Sequence, residues 1–213
     1  MQFLTRADSI LCALVCAAAI LVGSDASADA EEVLAATPPE IRQKLADQSV
    51  VMLEEVGGDG PESFLVAMVE FKSSRDRVLD LLREAERQPE YRTELKKVRT
   101  VETLADGRVD EQELKILFKT LTYRLRYRED PETGRLTWSL DKDFDNDIAL
   151  MDGFWELYPY QGDPDRTLGR FGSNVDVGKG VPSFVQKGMS RKTVVRYLRN
   201  LQQWVDSDGA WRP

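Results

Sequence analysis

The order of the hydrophobic patterns along the chain is the feature that most restricts its fold. An early helical pattern is followed by a long succession of alternating strand patterns, and one amphipathic helix from about Ser183 to Val205 closes the sequence. No later pattern could cover the apolar stripe of this helix, so the helix must pack against the sheet that the strands form. We therefore expect a last helix clasped by a sheet, an arrangement that can leave a cavity between the two.

The middle of the chain predicts an antiparallel meander. Its alternating segments are joined by turns such as Asp106-Gly107, and these links are too short for helical crossovers. The clearest segment is Thr122 to Arg128, where tyrosine and leucine alternate with arginine, which predicts one dry face and one solvated face. The predicted strands are Val98–Leu104, Val109–Phe118, Leu121–Arg128, Leu136–Leu140, Ile148–Tyr158 and Thr167–Val177.

Shorter elements precede the meander. Asp29 to Thr37 is a small, acidic leader that we expect to be mobile, and Pro38 then opens a short helix. Strands are predicted from Ser49 to Val56 and from Phe64 to Lys72; the second is nearly apolar on both faces, which favours a central position in the sheet. A helix is predicted to begin at Ser73, with an acidic residue three positions on as a capping-box variant.

Residues 1–28 have the layout of a signal peptide. The apolar run from Ile10 to Gly23 is too short to span a bilayer, and the small residues Ala26 and Ala28 follow it at the −3 and −1 positions. This predicts cleavage after Ala28, export to the periplasm or the medium, and loss of both cysteines with the signal. A retained membrane anchor is the alternative. A lipoprotein site at Cys16 fits poorly, since a large valine precedes that residue.

The composition excludes several kinds of chemistry. The net charge of −8 gives no counterion release on a phosphate backbone, so we predict no nucleic-acid partner. The absence of histidine, together with the loss of cysteine, removes the usual zinc ligands and any Ser-His or Cys-His nucleophile. We predict no metal and no cofactor. Asp141, Asp143, Asp145 and Asp147 begin like a calcium loop, but Ile148 stands where that loop requires glycine.

Three segments carry a resemblance to a known superfamily. They are the helix Ser73–Glu86 after an early strand, the run Asn146–Leu157 with its Gly-Phe-Trp-Glu-Leu sequence, and the strand Thr167–Val177, which leads through Gly180-Val181-Pro182 into the last helix. Together they resemble the START-like (SRPBCC) superfamily of helix-grip proteins, which includes lipid-transfer domains and polyketide cyclases. The resemblance implies an α+β fold in which a curved antiparallel sheet wraps around a long C-terminal helix.

The sequence layout and the resemblance together predict four regions. They are a signal peptide (1–28), an N-terminal leader with a short helix (29–48), a START-like domain (49–206) and a C-terminal tail (207–213).

In that superfamily the tunnel between helix and sheet holds an apolar ligand, which implies lining residues on the later strands and on the last helix. Arg191 is the polar residue on the helix stripe that could anchor a headgroup; the simpler interpretation is that it reaches past the helix edge to water. For each candidate an ordinary core position is the alternative. The candidates are Tyr123, Tyr127, Trp138, Trp155, Phe171, Phe184, Arg191, Val195 and Leu198.

These observations favour an exported protein that binds or transfers a lipid or another hydrophobic small molecule. The first alternative is a cyclase-like or dehydratase-like enzyme acting on a polyketide or isoprenoid in the same cavity, and the second is an envelope accessory protein whose cavity has closed to a packed core. Transient membrane contact is a further hypothesis. It depends on the basic residues Arg191, Lys192, Arg196 and Arg199, whose simpler interpretation is a solvated helix face.

Overall fold

The computed structural model describes residues 29–53, 64–116, 118–178 and 191–213. The helices in these ranges are α1 (Ala30–Ala36), α2 (Pro39–Gln48), α3 (Arg75–Arg83) and α4 (Arg191–Asp206), with a 3₁₀ helix at Ala85–Glu90. The strands are β1 (Val50–Met52), β2 (Leu65–Phe71), β3 (Leu95–Leu104), β4 (Gly107–Ile116), β5 (Lys119–Asp130), β6 (Arg135–Leu140), β7 (Leu150–Tyr160) and β8 (Asp163–Asp176). None of these helices is both long and apolar enough to cross a membrane.

The strands form one antiparallel sheet in the order β1-β2-β8-β7-β6-β5-β4-β3. From β3 to β8 each strand pairs with the next one in sequence, so the predicted meander is confirmed. β8 then pairs with the early strand β2, which brings the N-terminal part of the chain to the other end of the sheet. The fold is α+β, with the last helix packed on the sheet, as predicted.

The alternation in β5 sorts its side chains between two environments. Tyr123, Leu125 and Tyr127 are buried. Arg124 and Arg126, on the opposite face, keep part of their surface in solvent and form ion pairs with acidic residues. The dry and solvated faces predicted for this strand are confirmed, because residues two apart in a strand share a face.

The sheet is covered on both faces at the β1-β2-β8 end. On the inner face, Ala67 and Val69 of β2 belong to the main core with α4. On the outer face, Met68 packs in a second cluster with Ala30 of α1 and Leu45 of α2. The apolar character of both faces of β2 therefore has a different cause from the one expected: β2 lies next to an edge strand rather than at the centre, and helices cover each side.

The acidic leader is not a free segment. Residues 30–36 form α1, whose N-cap Asp29 accepts a hydrogen bond from the Glu32 amide at 2.9 Å. Val33 is buried against the outer face of the sheet. The expectation of a mobile leader is wrong for residues 30–36. Ala30 and Val33 form a short apolar stripe on α1, and this stripe packs against the sheet.

α3 begins one residue later than predicted. Its N-cap is Ser74, whose hydroxyl accepts from the Arg77 amide at 3.4 Å. Ser73 instead joins the helix entry to the sheet, since its carbonyl accepts a hydrogen bond from the Thr167 hydroxyl at 2.7 Å. Either serine satisfies the capping rule, and the contact with β8 decides between them.

α4 closes the inner face of the sheet. Leu198, Leu201, Trp204 and Val205 are buried on it, which confirms that Leu198 faces the core. Polar contacts at both flanks fix the helix. The Gln202 amide donates to the Glu70 carbonyl at 2.6 Å, the Asn200 amide donates to the Tyr91 carbonyl at 3.1 Å, and the Trp204 indole donates to Glu90 at 2.9 Å. The predicted helix start at Ser183 lies outside the described residues.

Candidate ligand-binding site

A cavity of about 360 Å³ lies between the inner face of the sheet and α4. It is larger than a packing defect, because voids wider than a water molecule are few in protein interiors. Its aromatic wall consists of Tyr91, Tyr127, Trp138, Trp155, Phe171 and Tyr197. Its charged groups are Arg92, Glu94, Lys115 and Arg196.

The alternation of side chains along β6, β7 and β8 places the aromatic residues of the wall on the inner face of the sheet. Trp155 on β7 and Phe171 on β8 are directly opposite each other in the antiparallel register, and their ring centroids are 5.0 Å apart. Phe171 also contacts the Trp138 ring at 5.8 Å and the Tyr197 ring of α4 at 5.7 Å. Since residues two apart share a face, Ser173 follows Phe171 along the same wall.

Four of the residues predicted from the sequence line this cavity: Tyr127, Trp138, Trp155 and Phe171. Tyr123 and Leu198 lie behind the wall, where both are fully buried in the main core. Phe184 lies outside the described residues. Ligand binding by these side chains stays a prediction.

The structure places Arg191 and Val195 away from the cavity wall. The Arg191 guanidinium is exposed and donates to the Leu53 carbonyl at 2.7 Å. The helix is turned so that Val194 and Tyr197 face the cavity instead. Val194 and Tyr197 each precede a predicted lining residue, Val195 and Leu198, by one position, which is a rotation of about 100° around the helix. The predicted lining stripe was therefore displaced by one residue along part of the helix. Arg191 is therefore not brought to the site as a headgroup anchor.

Arg92 is the polar wall residue that the sequence analysis missed. It is half-buried and follows directly after the 3₁₀ helix. Its Nη1 donates to Oε1 of Gln88 at 2.9 Å, and its guanidinium lies over the Tyr197 ring, 5.3 Å from the centroid. Burial opposes the charged form of this guanidinium, but its pKa is still raised above the usual arginine value, and the group stays charged, as arginines in proteins do.

The hydroxyl groups behind the wall form a buried chain. Tyr123 donates to Oε1 of Gln112 at 3.0 Å, and Nε2 of the same amide donates to the Tyr127 hydroxyl at 3.1 Å. Burial raises the pKa of Tyr123 to about 12, and burial likewise raises the pKa of Tyr127. These phenols stay neutral at ordinary pH, so they can donate and accept hydrogen bonds beside the Arg92 cation.

An ion pair crosses the rim of the cavity. Arg196 of α4 pairs with Glu94, the residue just before β3, and both side chains are partly exposed to solvent. Lys115 of β4 is also exposed at this rim. Arg92 is therefore set apart from the other charged side chains of the described wall, which lie at the opening; Ser173 and Thr193 add neutral polar groups to the wall.

A helical spacing could have indicated the missed residues. The stripe predicted from the sequence pattern runs through Phe184, Gly188, Arg191, Val195, Leu198, Leu201 and Val205. Val194, Tyr197, Leu201 and Trp204 also recur at intervals of three and four, and this second stripe fits a helix as well as the first. The two stripes overlap at Leu201. No periodic pattern indicated Arg92, because it follows Pro89 in a segment that has neither helical nor strand periodicity.

Hydrogen bonds join the acidic segment after β6 to the sheet. Oδ2 of Asp147 accepts from the Thr122 amide at 2.7 Å, and the Asn146 side chain accepts from the Arg124 amide at 2.8 Å. These bonds fasten the loop to the start of β5. Over the described ranges no three acidic, histidine or cysteine side chains are grouped as a metal site would require.

Comparison with known proteins found no matching family model and no matching curated protein. Solved structures do match. A STAR-related lipid transfer protein from Xanthomonas axonopodis is 13% identical, with a TM-score of 0.60 over 74% of this chain and 99% of that one. Human StAR-related lipid transfer protein 5 is 11% identical, with a TM-score of 0.55 over 79% of this chain and 94% of that one. The Zhui aromatase/cyclase from Streptomyces sp. R1128 is 15% identical, with a TM-score of 0.56 over 67% and 93%.

At these identities the likeness concerns the fold. The chain has the START-like helix-grip fold, as the sequence resemblance predicted. The matched structures include both lipid-transfer proteins and an aromatase/cyclase, so the fold alone does not select between these functions.

Proposed function

We propose that the protein binds a lipid or another hydrophobic small molecule in the cavity between sheet and α4, and carries it without changing it chemically. The observation that carries the proposal is the cavity itself: about 360 Å³, walled by six aromatic side chains and by aliphatic ones. Ligand sites typically have volumes of about 300–1,000 Å³ and are mostly apolar with a few polar groups.

Removal of apolar surface from water would supply the affinity. Each Å² of apolar ligand surface that enters the cavity contributes about 25 cal/mol, before the cost of ordering the ligand is subtracted. Two of the structures to which this chain is similar are named as lipid-transfer proteins, which supports the same ligand class here. A closed, packed core does not agree with a cavity of this size.

Export is part of the proposal and is supported by the sequence layout of residues 1–28. Delivery would then take place in the periplasm or outside the cell. Contact with a membrane surface stays a prediction, supported only by the exposed basic side chains Arg191, Lys192, Arg196 and Arg199 of α4.

A matched pair of substitutions tests the binding proposal. Ser173→Phe places a ring inside the cavity wall, whereas Ser139→Phe adds the same ring on the exposed face of β6. Tryptophan fluorescence and calorimetry with a panel of fatty acids, sterols and isoprenoids would measure affinity. We expect saturable binding with a negative heat-capacity change, abolished by Ser173→Phe and retained by Ser139→Phe.

Mass spectrometry of an organic extract from the purified protein would complete the test. We expect a bound apolar compound that is recovered unaltered after incubation. A panel and an extract that both show no ligand would contradict the proposal, and a ligand recovered in altered form would favour the cyclase-like alternative.

A further inference from the structure

We infer that the ligand is an amphipathic anion, an apolar molecule with one carboxylate, and that Arg92 binds this carboxylate inside the cavity. The inference rests on the proposed function and specifies its ligand class. It is drawn from the way in which the arginines of the described chain are paired.

Most of the described arginines form an ion pair with an acidic side chain. Of the described arginines, Arg42, Arg92, Arg191 and Arg199 have no acidic partner within ion-pair distance in the described ranges. The other three are exposed to solvent, where water compensates the charge. Arg92 is the half-buried exception, and it lies in the wall of an apolar cavity.

The partners that Arg92 does have are neutral. Its Nη1 donates to Oε1 of Gln88 at 2.9 Å, and its guanidinium lies over the Tyr197 ring, 5.3 Å from the centroid. A guanidinium has five N–H donors in a planar fork, so this one side-chain acceptor leaves donors for a bidentate carboxylate. Removal of a charge from water without a counter-ion is costly, and an anionic ligand would remove that cost.

The charge of the described wall has the sign that this ligand needs. Arg92, Lys115 and Arg196 are cationic, and the single carboxylate, Glu94, is already paired with Arg196. The wall is thus positive although the whole chain has a net charge of −8. A positive cavity in an acidic protein favours an anionic ligand over a neutral one of the same shape.

The test uses two probes that differ only in the headgroup, laurate and dodecanol. Calorimetry below the micelle concentration would measure both affinities for the wild-type protein, for Arg92→Met and for Arg199→Met. The last variant is the matched control, because Arg199 is also unpaired but is exposed away from the cavity wall. We expect the wild type to prefer laurate by about 10- to 100-fold, the range of a charge-assisted hydrogen bond.

In Arg92→Met this preference should disappear while dodecanol still binds, and Arg199→Met should keep it. The melting temperature of ligand-free Arg92→Met should not fall, since the substitution removes a charge that has no counter-ion among the described residues. If Arg92→Met does not fold, Arg92→Gln is the replacement and the same loss of preference is expected. Equal wild-type affinities for both probes, or equal losses in the Arg92 and Arg199 variants, would overturn the anchor while hydrophobic binding stood. Failure of both probes to bind would overturn the proposed function as well.

Discussion

Replacement of Gly153 by alanine offers a sharp test of the packing around the cavity. A Cβ at this position would lie 2.0 Å from Cζ2 and 2.2 Å from Cε2 of Trp138, and 2.7 Å from the Gly172 carbonyl oxygen. Carbon atoms in van der Waals contact are about 3.5–4.0 Å apart. The indole must therefore move by about 1.5 Å, and the cavity that it lines offers space for this shift.

The cost follows from these contacts. Overpacking a well-packed core typically costs about 1–3 kcal/mol. We expect Gly153→Ala to lower the free energy of unfolding by about 3 kcal/mol, the upper end of this range. The Trp138 ring can relieve its clash by shifting into the cavity, but the clash with the Gly172 oxygen involves rigid backbone. Urea unfolding would measure the free-energy change. The displaced ring should also reduce the space for ligand, so affinity for an apolar ligand should fall in parallel.

Two controls make this prediction refutable. Gly162→Ala should change the free energy of unfolding by less than about 0.5 kcal/mol, because a Cβ at that position meets no atom within 4 Å. In a Trp138→Leu background the indole is absent, so Gly153→Ala should cost about 1 kcal/mol less than in the wild type. If the substitution costs the same in both backgrounds, the Trp138 ring is not what requires glycine at residue 153.

Three further predictions follow from the core, the surface network and the sequence. Leu198→Ala should cost about 2–5 kcal/mol by chemical denaturation, since this side chain is fully buried, and a cost under about 1 kcal/mol would show that α4 is packed differently. Hydrogen bonds from Arg124 and then Arg99 lower the pKa of Glu111. The ionised carboxylate therefore stabilises the fold at pH values above the ordinary glutamate pKa. Glu111→Gln should therefore lose about 1 kcal/mol at neutral pH. That gap from wild type should close as the pH falls from about 4.3 through the lowered folded pKa, and a gap that does not change with pH would contradict the assignment. N-terminal sequencing of the exported protein should begin just after Ala28, and a product that begins with Met1 would contradict the predicted signal peptide.

The sequence by itself determined the order of elements, the antiparallel meander and the clasp by the last helix. These features depend on local periods and turn residues, as in β5, where the alternation of Tyr123, Leu125 and Tyr127 with arginines matches the observed burial. The START-like resemblance rested on the same kind of signal. It predicted the fold correctly because hydrophobic periodicity is sufficient to show which faces must be covered.

The tertiary structure decided between arrangements that the hydrophobic periodicity of the sequence allows equally. Two overlapping stripes fit α4. Packing against the sheet buries Leu198 and Trp204, one from each stripe, and places Tyr197 rather than Val195 in the cavity wall. Likewise, only the contact of the Ser73 carbonyl with Thr167 fixed the start of α3. A difference of one residue costs little in local energy, so contacts between elements distant in sequence determine the outcome.

The same reason explains why Arg92 was missed. A sequence shows that an arginine is present, but whether it has an acidic partner depends on residues that only the fold brings near. Here the fold places Arg92 against Gln88 and Tyr197 in the cavity wall, with no acidic partner within ion-pair distance among the described residues. The local pattern thus determined which faces are dry, and the tertiary arrangement determined which charge is left within the dry space, because burial and pairing are properties of three-dimensional neighbours.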